Sequence, residues 1–326
     1  MSNAEVLAAL RQQAANIDAV METDLKSVQS PLLKEVIRHA IFQGGKRIRP
    51  LLTVLAASLR TAPPPDTARL AIAFEYLHAA SLLHDDIIDH SDLRRGKKTA
   101  NLLWGEGPAI LAGDFLHARA MALASEVGGQ EGMTVIGDAT AAMVEAEFLQ
   151  MQNAREQNIP EENYFLVLMG KTAALIAAAC EAGVIHSRGT AAERTALRNY
   201  GTSLGLAFQI VDDLLDYLGD PAKTGKAVGN DFQEGKMTLP LIHAMAVAPE
   251  EERRFLERLL NADNSERGQN LTEAKAVIEK NRGFLYARRK AETLLAEALQ
   301  GLDFFPASQA KSTLIGLAHY VLEREK

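Results

Sequence analysis

Several things are scarce in this sequence. There is one cysteine, Cys180, in 326 residues, so no intramolecular disulfide forms and a reducing cytoplasm suits the chain. Within "LIAAACEAGVI" that thiol reads as a small core residue. Long apolar runs are missing too. Charge or glycine interrupts the apolar segments before they reach the roughly 18 to 20 residues of a membrane span. The N-terminus "MSNAEVLAALRQQ" has no basic region followed by an apolar run, so no signal peptide is read. Basic residues do not dominate: 42 acids face 35 bases, for a net charge of −7. That balance argues against a protein that wraps nucleic acid. No Cys cluster or HExxH offers a zinc site, and no Ser-His-Asp triad is evident. There is no Ser/Gly linker, low-complexity tract or fixed-period repeat, and no sustained period-two alternation marks a sheet.

Helical spacing of apolar residues is what remains. "PLLKEVIRHAIF", "LAIAFEYLHAASLL", "FLVLMGKTAALIAAACEAGVI" and "LGLAFQIVDDLLDYL" all carry it. The expected fold is all-α, about a dozen helices in one domain spanning 1–326. Ser30 before Pro31 marks a helix start, Asp66 or Thr67 can cap the helix after "APPPDT", Pro160 opens another, and Gly219-Asp220-Pro221 ends one.

Two segments echo each other. "HDDIID" (84–89) and "VDDLLD" (211–216) share the pattern D-D-x-x-D near the ends of long apolar helices. On a helix, Asp85 and Asp89 share a face, as do Asp212 and Asp216; Asp86 and Asp213 sit beside them. Such carboxylates repel one another and raise each other's pKa, and a divalent cation cancels that penalty. Few hard oxygen ligands suit Mg²⁺, or Mn²⁺ in its place, better than Zn²⁺. A solvated acidic helix end is the bland alternative. The repetition of the motif among apolar neighbours weighs against it.

Cations answer the acids. Lys46, Arg47 and Arg49 lie in "GGKRIRP", Arg94 and Arg95 follow the first cluster, and Lys226 and Lys236 follow the second. Carboxylates hold metal, metal holds phosphate, and Arg and Lys neutralise what charge remains. Lys171 sits inside an apolar helix, where snorkelling would be ordinary. Gly170 and Thr172 beside it point instead to a locally loosened helix that exposes polar groups. "GGKRIRP" also reads as a plain helix start, and His78, two turns before Asp85, as a satisfied core histidine.

Taken in order, GGKRIRP, DDxxD followed by RRG, a mid-chain KT, FQ before a second DDxxD, and GK…GK resemble the trans-isoprenyl diphosphate synthases, from about Gln43 to Pro240. The resemblance implies an isoprenoid-synthase helical bundle around a central cavity, a homodimer, and condensation of isopentenyl diphosphate with an allylic diphosphate. It implies Asp85, Asp89 and Asp212 as metal ligands supported by Asp86, Asp213 and Asp216. Arg94, Lys171 and Lys226 would hold the allylic diphosphate; Lys46, Arg49, His78 and Arg95 would hold isopentenyl diphosphate. Gln209 falls at the diphosphate site, Thr172 near the reacting centre, and Lys236 at a further family lysine. Ala146 departs from the glycine that relatives often carry. Small residues at Ala80 and Ser81, where short-chain members carry an aromatic, imply a product longer than farnesyl diphosphate, with Phe74 as a candidate cavity floor. A class I terpene cyclase and a non-catalytic subunit of a heteromeric synthase are the rival readings. The cyclase needs no second diphosphate site, and the subunit tends to lose an acidic cluster.

Overall fold

The structure is a computed structural model and describes residues 3–153, 160–219 and 228–323. It is all-α, as the periodicity predicts. Contacts group the chain into two compact units: Met1–Thr140 with Ala178–Arg198 and Phe304–Gly316, and Ala141–Ala177 with Asn199–Asp303 and Leu317–Lys326.

The first unit is built on α1 (Asn3–Asp24), α2 (Pro31–Phe42), α3 (Ile48–Ala57) and α4 (Thr67–Ile88). Helices α1, α2 and α3 all pack on α4, whose Leu70, Ala71, Ile72, Ala73 and Phe74 are fully buried. Ser30 caps α2 through the Leu33 N–H at 3.3 Å, with Pro31 at the first position. Asp66 does not cap α4 with its side chain; it pairs with His186 at 3.0 Å, while the Thr67 hydroxyl donates to Pro64 O at 2.7 Å. After α4 comes a short hairpin, β1 (Leu93–Arg94) and β2 (Lys97–Lys98), and then α5 (Ala100–Trp104). Two residues per strand are too few for periodicity to reveal, so the sequence reading had no strand here.

Four of the described helices run through both units: α6 (Glu106–Asn153), kinked at Gly129 (φ 63°), α8 (Ala174–His186), α9 (Ala191–Leu218) and the C-terminal α16 (Gln309–Glu323). Between α7 (Glu161–Leu168) and α8 the chain makes a π-turn, Met169–Ala173. This is the loosening that Gly170-Lys171-Thr172 predicts. The stretch Glu161–His186 is long and apolar enough to cross a membrane, but 61% of its most apolar part is buried inside the protein, as in a core helix. The second unit continues with α10 (Asn230–Gln233), α11 (Leu239–Val247), α12 (Glu250–Leu260), α13 (Asn264–Gln269), α14 (Leu271–Lys280) and α15 (Gly283–Gly301); α16 (Gln309–Glu323) closes the chain. Helix α11 packs on α15 closely enough that Gly283 has no room for a Cβ, which would lie 2.3 Å from Pro240 O.

One buried arginine anchors the first unit. Gly44 (φ 100°) and Gly45 (φ 145°) turn the chain ahead of α3, and Arg47 follows in the left-handed region at φ 52°. That conformation sends Arg47 inward, where it is 5% exposed. Its guanidinium donates to Asp18 and Glu75, each at 2.7 Å, and to Ile41 O at 2.9 Å. Arg47 is therefore a structural cation, unlike its neighbours in GGKRIRP. Glu75→Ala leaves a buried guanidinium short of its buried partner and should lower unfolding free energy by about 3 kcal/mol in urea denaturation. A change within about 0.5 kcal/mol, ordinary for a surface site, would contradict this role.

Candidate active site

The first acidic cluster ends α4. Asp85 is half-buried and Asp89, the C-cap residue, is exposed. Asp86 between them is 4% exposed, and the Arg94 Nε donates to its Oδ1 at 2.7 Å. Burial raises the Asp86 pKa, and Arg94 opposes the rise. Beside Asp85, the His84 ring lies over Gly113 of α6, where a Cβ would come within 2.3 Å of the imidazole.

The hairpin explains the RRG that follows. A two-residue hairpin turn of type I′ needs positive φ at both central positions. Arg95 (φ 53°) and Gly96 (φ 76°) supply it, so Arg94 pairs with Lys97 across the strands. Arg95 then donates to Gly44 O, clasping the glycine loop to the hairpin. A Cβ on Gly45 would sit 3.1 Å from Arg47 Nη1 and 3.2 Å from Arg95 Nη1. This clasp draws four arginines around His78. Burial, then Arg49, Arg95, Arg94 and Arg47, hold His78 well below the usual imidazole range, so it is neutral. Burial also lowers Arg49, with Glu75 opposing and Arg95 adding to the fall. The Arg49 Nε is buried with no hydrogen-bond partner among the described residues. A buried cationic donor left open, with the Arg95 guanidinium acting on it, is what an anion site requires. Lys46 is exposed in the loop before α3.

The second cluster ends α9 and repeats the arrangement. Asp212 is half-buried. Asp213 is 5% exposed and accepts from Tyr164 Oη at 2.7 Å and from Gln209 Nε2 at 3.1 Å. Burial pushes Asp213 up to about 7; Tyr164 and Gln209 pull it back, and Asp231 and Asp212 push it further. Burial and the same carboxylate hold the Tyr164 phenol well above its usual range, so it stays the donor. Asp216 accepts from the backbone N–H groups of Asn230 (3.2 Å) and Asp231 (3.1 Å), and burial with Asp231 lifts it to about 6.

The π-turn adds the remaining groups of this unit. A Cβ at Gly170 would come 2.5 Å from Ala142 O and 2.6 Å from the Ala146 Cβ, so the turn lies directly against α6. Ala146, the departure from the family glycine, is thus the small residue that faces Gly170. Lys171 Nζ pairs with Glu147 Oε1 at 2.7 Å, and the Thr172 hydroxyl donates to Gln209 Oε1 at 3.4 Å. Lys236 is exposed, pairing with Glu234 at 2.7 Å and Asp231 at 3.2 Å. Although its side chain is more than half exposed, partial desolvation of the ammonium pulls Lys236 down; the two carboxylates outweigh that and hold it above its usual range. Lys226 lies outside the described residues. Ala80 is 2% exposed and Phe74 fully buried, both on α4; Ser81 donates to His78 O at 2.9 Å.

Among the described residues, no three acidic, His or Cys side chains converge into a ready metal cage. Asp85 and Asp89 in one unit, and Asp212 in the other, are oxygen donors in sparse sets. That suits a hard cation whose shell water and phosphate complete. The sequence reading missed Tyr164 and Glu147. Tyr164 sits in an apolar run and reads as core; its partner is 49 residues away. The sequence carries no local signal for such a pair.

Known proteins give a consistent picture. The family model for polyprenyl synthetase matches residues 30–278. Octaprenyl diphosphate synthase of Escherichia coli (strain K12) is 37% identical over 318 residues, 97% of either chain. The crystal structure of a decaprenyl diphosphate synthase from Rhodobacter capsulatus superposes with a TM-score of 0.90 at 38% identity, covering 100% of both chains. A polyprenyl synthase from Caulobacter crescentus CB15, complexed with calcium and isoprenyl diphosphate, gives a TM-score of 0.89 at 35% identity, covering 100% of this chain and 98% of that one.

The arginine ring around His78 has a consequence for pH. Its pKa is depressed below the usual 6.5, so the unfolded chain takes up a proton that the folded chain refuses. Stability from this group is intact above pH 6.5 and is lost as pH falls below it. Denaturation curves at pH 7.5 and 5 should differ less in His78→Gln than in the wild type. Equal differences would mean that His78 is not held neutral.

Proposed function

This chain belongs to the polyprenyl synthetase family, and we propose from that premise how its residues share the reaction. It is a trans-polyprenyl diphosphate synthase, a prenyltransferase that joins isopentenyl diphosphate to an allylic diphosphate and carries the chain beyond farnesyl length. A divalent metal serves diphosphate binding in this family. We assign it here as Mg²⁺, with Mn²⁺ able to replace it, and assign Asp85 and Asp89 in the first unit and Asp212 in the second as metal ligands. The observation that carries this reading is the shared asymmetry of the two clusters. In each, the second aspartate is buried and committed to protein partners, while the first stays half-exposed.

A bound divalent cation neutralises diphosphate oxygens and so favours departure of pyrophosphate. The protein supplies the rest. Arg94 and Lys171, with Lys226, hold the allylic diphosphate and take up the charge it gains on leaving. Lys46, Arg49, His78 and Arg95 hold isopentenyl diphosphate. The open Arg49 Nε supports this, and neutral His78 can donate one N–H. Thr172, whose hydroxyl donates to Gln209, is assigned near the reacting centre. Asp86, Asp213 and Asp216 support the ligands, and Lys236 serves the second cluster from its exposed loop. The double bond of isopentenyl diphosphate attacks the allylic carbon, and the proton it loses passes to the departing pyrophosphate. Apolar walls exclude water from the cation.

We read the chain as one domain, since the family match runs through both units and α6, α8 and α9 are continuous from one to the other. A homodimer is proposed on Val144, Phe148 and Met151, which stay exposed at i, i+4 and i+7 on α6. The calcium and isoprenyl diphosphate of the Caulobacter protein support the metal and substrate assignment. The cytoplasm is the proposed location, and the lone buried thiol suits it.

Labelled isopentenyl diphosphate, an allylic primer and Mg²⁺ test the assignment with the purified chain. Polyprenyl products should form and EDTA should abolish them. Asp85→Asn and Asp212→Asn should each cost several orders of magnitude in turnover, at about 1.4 kcal/mol of barrier per tenfold. Near-normal turnover in either variant would refute the metal assignment. Product length is governed by Ala80 and Ser81, with Phe74 as floor. Ala80→Phe should shorten the product towards farnesyl or geranylgeranyl length while condensation continues, read by chromatography of the dephosphorylated alcohols. Unchanged long product would remove Ala80 from the cavity wall.

A further inference from the structure

Glu147 has no place in the reaction as assigned, yet it occupies one of the groups the reaction needs. Its carboxylate lies 2.7 Å from the Lys171 ammonium, with the two side chains 23% and 33% exposed. This is not a chance meeting of two long surface side chains. The π-turn brings the backbone at Gly170 within a Cβ's width of Ala146, the residue before Glu147. Lys171 is therefore delivered to this acid by the same packing that bends the helix. Partial burial leaves the pair less screened than a surface one.

We propose that Glu147 is an intramolecular competitor for the allylic diphosphate site: it holds Lys171 when no phosphate is bound, yields to an incoming diphosphate, and retakes the lysine as pyrophosphate leaves. This rests on the assignment of Lys171 to the allylic diphosphate. A diphosphate carries more charge than a carboxylate and wins the exchange. The exchange nonetheless subtracts the energy of the Lys171–Glu147 pair from phosphate binding. The subtraction matters most for an enzyme that elongates repeatedly. Each cycle leaves pyrophosphate where the diphosphate of the lengthened chain must next bind. A resident carboxylate that lowers pyrophosphate affinity shortens the wait between cycles. Glu147 contacts the residue that holds substrate, not the reacting atoms, so it is a positioning residue.

The test measures inorganic pyrophosphate in the presence of Mg²⁺, by calorimetry and as an inhibitor competing with the allylic primer, on the full chain. Glu147→Gln keeps the shape and removes the charge. It should tighten pyrophosphate by about three- to tenfold, the scale of a partly screened ion pair, and lower the primer KM alongside kcat. Unchanged or weaker binding overturns the proposal. Lys171→Gln separates the two assignments. It should weaken pyrophosphate; if it does not, Lys171 is not a diphosphate ligand and the competition falls with it. Adding Glu147→Gln to Lys171→Gln should change nothing further. The same tightening in that background would mean that Glu147 acts as a general negative charge rather than through Lys171, which also overturns the proposal.

Discussion

A buried carboxylate must be partnered, and two such carboxylates set the geometry of this protein's chemistry. Removing an aspartate from water is costly unless hydrogen bonds or an opposite charge replace the solvent. Asp86 finds Arg94, and Asp213 finds Tyr164 and Gln209. Once the second aspartate of a D-D-x-x-D is fixed inward, helical geometry fixes its neighbours. The first aspartate is turned about 100° away, and the last lies one turn from the first. The accessible carboxylates are therefore aimed by the inaccessible ones.

The partners come with their own local structures. Arg94 is presented by a hairpin whose turn demands positive φ at Arg95 and Gly96. Arg95 in turn holds the glycine loop that carries Lys46 and leads into Arg49. Arg47, from the same loop, is spent on Glu75 and Asp18 inside the unit. Four consecutive residues thus contain both a structural arginine, Arg47, and one proposed to bind diphosphate, Arg49. In the other unit, Tyr164 on α7 and Thr172 within the π-turn reach Asp213 and Gln209, which stand one turn apart on α9.

Much of this was legible beforehand. Helical periodicity gave the all-α class, and the ordered set of motifs, through the family they resemble, gave the reaction. The Gly170-Lys171-Thr172 triplet forecast the loosened helix that is a π-turn in the fold. The hairpin was not legible, because two residues per strand carry no alternation. Nor were the partners of the buried aspartates. Tyr164 looks like any apolar-run aromatic, and Glu147 like any solvated acid on a long helix. Their roles depend on which helix faces which, a tertiary fact that local spacing does not encode.

The central claim is that the second aspartate of each motif anchors and the first binds. Anomalous diffraction from Mn²⁺ in crystals grown with isopentenyl diphosphate and an unreactive thio-analogue of the allylic substrate tests it most directly. Metal peaks should lie against Asp85 and Asp212, with Asp86 still on Arg94 and Asp213 still on Tyr164. Metal coordinated by Asp86 or Asp213, with those partnerships broken, would contradict the account.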